Sequence, residues 1–111
     1  MKFSFKPLMW GGLALMFSAA SMANEPDAAK LAKGEAIFLT DSVPACSVCH
    51  TLKKARASGS IGPNLDEIKP TYDRVMAALR EGVGVMPSFQ GKLNDAAMDA
   101  VATYVVHATQ Q

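Results

Sequence analysis

The stretch Cys46-Ser47-Val48-Cys49-His50 constrains this chain more than any other feature. Two thiols one helical turn apart can each add across a vinyl group of a haem while the next residue presents an imidazole to the iron, so the spacing encodes covalent haem attachment. Two other chemistries share the Cys-x-x-Cys pattern. A closed structural zinc site wants four Cys or His ligands, and beyond this stretch only His107 remains. A redox dithiol begins a helix after a strand in a βαβ unit, and the chain reads as helices with turn-rich loops, without strand alternation.

An iron held by His50 has a sixth position, and the ligand there separates electron transfer from ligand activation. Met86 is the candidate. It lies in Gly82-Val83-Gly84-Val85-Met86-Pro87-Ser88-Phe89, where Pro87 biases Met86 towards extended geometry and the glycines let the backbone approach a bulky planar group. Met76 and Met98 belong to helical stripes instead and read as core filler. His107 becomes a rival only if the chain end folds back; near a helix C-terminus it is expected to be exposed or favoured by the negative helix end.

With 111 residues, half of them apolar and 19% charged, the chain is expected to form one compact globular domain. Thiols three positions apart cannot build a disulfide framework. A formal charge of +1 with no run of five or six like charges argues against nucleic-acid binding. Lys2 and Lys6, the apolar run 8–20 and the small residues Ser21-Met22-Ala23 form a secretory signal peptide, with cleavage expected after Ala23. The apolar run is too short for a membrane-spanning helix, which makes an uncleaved anchor the weaker alternative. Residues 24–111 then form the mature domain; its basic count drops from 11 to 9 against 10 acidic side chains, a formal charge of −1. A domain that small usually needs a cofactor, metal or disulfides for stability.

Three main helices are expected. One spans about 27–39, with Leu31, Ala32, Ile37 and Phe38 at helical intervals and Gly34 opening a gap that admits a neighbouring helix. A second covers Tyr72–Glu81, capped by Thr71, stopped by Gly82, with Val75, Met76 and Leu79 on one face. In the third, Asn94 is the cap, Asp95 sits in the first turn, Ala97, Val101, Tyr104 and Val105 line one side, and Leu93 and Met98 supply a hydrophobic staple. The stretches 51–70 and 82–91 are irregular and rich in Gly and Pro.

At this point the sequence resembles the class I c-type cytochromes over nearly all of the mature chain. The helix with Gly34 and Phe38 resembles the family's N-terminal helix, which crosses a C-terminal helix carrying an aromatic residue, here Tyr104. Cys46, Cys49 and His50 match the attachment motif, Gly62-Pro63-Asn64-Leu65 resembles the proximal loop, and Met86-Pro87 matches the distal loop. The resemblance implies an all-α cytochrome c fold: three main helices plus loops wrapped around one haem c, held covalently through Cys46 and Cys49. It further implies His50 and Met86 as iron ligands and a Pro63 carbonyl that orients the His50 ring. The run 51–70 and the Met86 loop are also similar to small haem subunits associated with bacterial sulfite dehydrogenases.

The expected function is that of a periplasmic electron carrier, not an enzyme, exchanging electrons at the haem edge with a donor dehydrogenase and an acceptor oxidase or cytochrome. A haem subunit of an oxidoreductase complex such as sulfite dehydrogenase is the alternative, and it predicts an apolar patch around the haem edge. A ligand sensor or peroxidase-like site in which Met86 detaches ranks last, because no histidine or arginine is placed by motif near the distal loop. Leu65, Val75, Leu79, Phe89 and Val101 are expected to bury the haem. Lys53, Lys54 and Arg56 form a candidate positive collar for partner steering, whereas Asp66, Glu67 and Asp73 are expected to be solvated.

Overall fold

A computed structural model describes residues 2–16, 18 and 25–111. The expected cleavage point after Ala23 lies outside the described residues. Residues 2–16 carry no regular secondary structure. No helix among the described residues is long and apolar enough to cross a membrane.

The fold is helical. Asp27 caps α1 (Ala28–Ala36) by accepting from the Ala29 N–H. A π-helical turn, Ile37–Asp41, then continues the same rod. Ile37 and Phe38, three and four residues on from Gly34, share its face and are both buried. A short α2 (Cys46–Cys49) presents the two thiols and ends at His50, whose backbone is extended. The Asn64 side chain caps α3 (Leu65–Ile68) through the Asp66 N–H. Thr71 caps α4 (Tyr72–Glu81) through the Arg74 N–H, and Asn94 caps α5 (Asp95–Thr109) through the Ala97 N–H.

α5 is the spine of the domain. Ala97, Met98, Ala100, Val101, Ala102, Tyr104, Val105 and Ala108 are all buried along it, so the buried surface runs well beyond the single stripe expected. It crosses α1 at Gly34. A Cβ on Gly34 would overlap the Ala100 carbonyl and the Tyr104 Cβ, so glycine is what lets the two backbones touch. Phe38 and Tyr104 meet edge to face beside the crossing, ring centroids 6.1 Å apart at 61°. Across the outer faces, Asp99 of α5 takes an ion pair from Lys30 of α1 at 2.7 Å and a hydrogen bond from the Tyr72 hydroxyl of α4 at 2.6 Å.

Two expectations change here. Ala32 is exposed, because at 100° per residue it lies about 160° around the helix from Gly34, where the crossing occurs. The stretch after His50 also holds an antiparallel pair, β1 (Thr51–Leu52) and β2 (Ala57–Ser58), joined through the 3-10 turn Lys53–Ala55. It buries Leu52, Ala55 and Ala57.

Candidate haem site

A cavity of about 460 Å³ opens between α2, the loop 59–63, α4 and the segment 82–89. Cys46, Cys49, His50, Pro63 and Met86 all line it, so five residues separated by up to 40 positions in sequence converge on one space. Its walls are Phe38, Leu65, Val75, Leu79, Phe89, Val101 and Val105. These include all five residues expected to bury a planar group, and the volume falls in the range of a cofactor pocket.

The proximal side is built around His50. Its Nδ1 donates to the Pro63 carbonyl at 2.8 Å, which leaves Nε2 as the ring atom with a free lone pair. The Gly62 N–H donates to the Cys49 carbonyl at 2.7 Å and docks the loop on the end of α2. Gly62 faces the ring itself: a Cβ there would come within 2.7 Å of Cε1. Gly59 is pressed against the same turn, where a Cβ would meet the Cys49 carbonyl carbon and the His50 nitrogen at 2.6 Å.

Cys46 and Cys49 are unpaired thiols, both half-buried. Burial pushes the Cys46 thiol above its ordinary value, while the Ser42 hydroxyl 3.8 Å away pulls it down. A neutral thiol in apolar surroundings is slow to form adventitious thiolate products. Ser42 is itself buried and donates to the Ile37 carbonyl at 2.8 Å, so the residue beside the Cys46 thiol is tied back to the first residue of the π-helical turn.

Met86 is half-buried at the cavity wall, whereas Met76 and Met98 are buried in the core and line none of it. The two helical methionines are filler, as their spacing predicts. His107 lies outside the cavity, half-buried in the last turn of α5, where its Nε2 accepts from the Gln111 amide at 2.8 Å. Two thiols, a lone-pair nitrogen, a thioether and apolar walls suit a flat apolar macrocycle carrying a metal.

Comparison with known proteins identifies the family. Residues 29–105 match the family described as cytochrome c oxidase, cbb3-type, subunit III. The chain belongs to the cytochrome c family. The cytochrome c6 of Synechocystis sp. (strain ATCC 27184 / PCC 6803 / Kazusa) is 32% identical over 104 residues, covering 82% of this chain and 76% of that protein. The cytochrome c6 of Leptolyngbya boryana is 27% identical over 70 residues, 60% of this chain and 82% of its own. Among solved structures, the c-type cytochrome SorU from Sinorhizobium meliloti superposes with a TM-score of 0.73 at 46% identity, covering 77% of this chain and 97% of SorU. This cytochrome is an electron-transfer protein rather than an enzyme, and the cofactor of its family is haem c.

The structure also moves several charged residues. Lys53, Lys54 and Arg56 are exposed but line none of the cavity. Lys54 reaches the Gln111 side chain at 3.5 Å, just past the end of α5. Asp66 is not merely solvated, since its Oδ2 accepts from the Lys53 N–H at 2.8 Å and fastens α3 to the hairpin.

Arg74 was missed by sequence reasoning. It lines the cavity from α4 together with Val75, Ala78 and Glu81, whereas Arg80 does not. The signal was available, because 74, 78 and 81 recur at helical spacing on one face. It was masked because an exposed arginine in a first helical turn looks like ordinary surface. The mouth is otherwise apolar: Ile61 (66% exposed), Val83 (64%) and Val85 (86%) stand open to solvent and line it.

Proposed function

We propose that this cytochrome carries one electron at a time, in the periplasm after removal of residues 1–23, on a haem c attached through Cys46 and Cys49 and ligated by His50 and Met86. The observation that supports it best is the His50–Pro63 hydrogen bond, set in a cavity that both thiols and Met86 also line. When bound, the group supplies an Fe(III)/Fe(II) couple. The rest is the work of the chain. His50, with Nδ1 committed to Pro63, offers Nε2 in a fixed orientation. The soft thioether of Met86 favours the reduced state, and apolar walls from Leu65, Val75, Leu79, Phe89 and Val101 disfavour the extra positive charge of the oxidised one. Arg74 at the wall supplies a cation for the carboxylates of the macrocycle.

The testing experiment is an absorbance spectrum of the exported protein, oxidised and then dithionite-reduced, followed by a pyridine haemochrome of the denatured chain. A c-type haemochrome with a far-red thioether-to-Fe(III) band that disappears in Met86→Ala is the expected result. Haem lost on denaturation would sink the covalent reading and return Cys46 and Cys49 to metal or thiol chemistry.

The apolar mouth favours a second reading, a haem subunit of an oxidoreductase complex such as sulfite dehydrogenase. Ile61, Val83 and Val85 are the kind of exposed apolar surface a stable partner covers. Co-purification with a catalytic subunit from the native periplasm supports the subunit; elution as a salt-sensitive monomer supports the diffusing carrier.

A further inference from the structure

We propose that Ser88 is a positioning residue that holds Met86 at the cavity and thereby sets how readily the sixth iron position opens. The inference rests on the reading of Met86 as the iron ligand. The last carbonyls of a helix need partners from outside it. At the end of α4 those partners come from the segment that carries Met86. The Gly82 N–H donates to the Ala78 carbonyl at 2.9 Å, the Phe89 N–H to the Leu79 carbonyl at 2.7 Å, and the Ser88 hydroxyl to the Arg80 carbonyl at 2.5 Å. Ser88 Oγ also accepts from the Gln90 N–H at 3.1 Å, so one hydroxyl bridges the helix end and the chain leaving the loop.

Met86 closes a tight turn through reciprocal backbone bonds with Val83, 3.1 and 2.9 Å long. That turn sits directly on the helix end: a Cβ on Gly82 would come within 2.8 Å of the Met86 carbonyl oxygen and 3.0 Å of the Ser88 nitrogen. Among the three bonds to the helix end, only the one from Ser88 comes from a side chain. Ser88 is half-buried and does not line the cavity, so it acts through the loop and not by touching the metal. Phe89 is buried in the wall and remains an anchor when Ser88 is changed. Loss of the hydroxyl therefore frees Met86-Pro87 between two remaining fixed points and leaves the fold standing.

The test uses oxidised holoprotein mixed with saturating imidazole, under which replacement of the thioether is limited by Met86 leaving the iron. Loss of the far-red band is followed in wild type, Ser88→Ala, Ser88→Thr and Tyr72→Phe. Ser88→Ala is expected to keep the band at rest and lose it roughly three- to tenfold faster, the factor one net hydrogen bond is worth. Ser88→Thr, which retains a hydroxyl, returns to the wild-type rate. Tyr72→Phe removes the tie to Asp99 at the opposite end of α4 and leaves the rate unchanged. An unchanged rate in Ser88→Ala, or equal acceleration in Tyr72→Phe, overturns the proposal. A wild-type protein with no far-red band is a different result: it overturns Met86 as ligand.

Discussion

Gly62 lies against the His50 ring, so close that a Cβ would stand 2.7 Å from Cε1 and 3.0 Å from Nδ1. The ring cannot retreat without giving up its bond to the Pro63 carbonyl. Gly62→Ala is therefore expected to turn the imidazole, shift the NMR signals of the His50 ring in the holoprotein and lower stability by about 1–3 kcal/mol. Gly59→Ala should cost more, because its Cβ would meet backbone atoms at 2.6 Å. Gly84→Ala should cost less than Gly59→Ala, since it faces open space and adds only the strain of φ +56°. Denaturant midpoints of the three holoproteins check this order.

Tyr104 supplies an alkaline signature. Its hydroxyl is buried with no hydrogen-bond partner among the described residues, and burial, helped by the Glu35 charge, pushes its pKa up to about 12. Above pH ~10 the unfolded chain ionises this tyrosine while the folded one does not, so the unfolded state binds fewer protons and stability falls as pH rises from 10 to 12. The full loss is on the order of 2–3 kcal/mol. Tyr104→Phe should keep the edge-to-face contact with Phe38, be neutral or gain about 1 kcal/mol at pH 7, and flatten the alkaline fall. Unfolding curves at pH 7 and pH 11 measure both effects.

Asp99 carries the corresponding acid signature. The Lys30 ammonium, and after it the Tyr72 hydroxyl, hold its carboxyl below the usual carboxylate range. Stability from this site is present above the ordinary aspartate pKa and is lost as pH falls through the lowered one. The pair is solvent-accessible, with side chains 43% and 35% exposed, so Asp99→Asn should cost less than about 1 kcal/mol at pH 7. The difference from wild type should shrink at pH 2–3 and also in high salt. Thermal melts across that pH range are the check.

The cavity itself predicts dependence on the cofactor. Its lining is mostly apolar, so without a group packed against it the cleft leaves water on side chains that a domain this small needs to bury. The double variant Cys46→Ala/Cys49→Ala, produced without attached haem, is expected to lose cooperative unfolding and most helical circular dichroism. Retention of a sharp thermal transition without haem would contradict this.

Much of the molecule was legible before folding because its signals are local. Thr71 and Gly82 bracket α4 at the residues where it begins and ends, and Asn94 starts α5, since cap and stop chemistry acts within one turn. The rod expected over 27–39 is there, but it changes to a π-helical turn at Ile37 that the helical spacing of Ile37 and Phe38 does not signal. The hairpin 51–58 escaped notice because two-residue strands are too short to show alternation. Ala32 and Ala97 are both alanines on helical stripes, yet one is exposed and the other buried. The crossing partner decides that.

What the sequence by itself determined is the chemistry: the thiol pair, the following imidazole, the candidate thioether and the helices that carry them are set by residue type and short-range spacing. What only the tertiary structure decided is which groups share a space. It placed Arg74 at the cavity wall and Lys54 beside Gln111, fastened Asp66 to a backbone nitrogen, and joined Ser88 to the end of α4. The physical reason is range. Caps, turns and periodicity act over a few residues along the chain, whereas the direction a loop or a surface charge faces is set by close packing against segments tens of residues away.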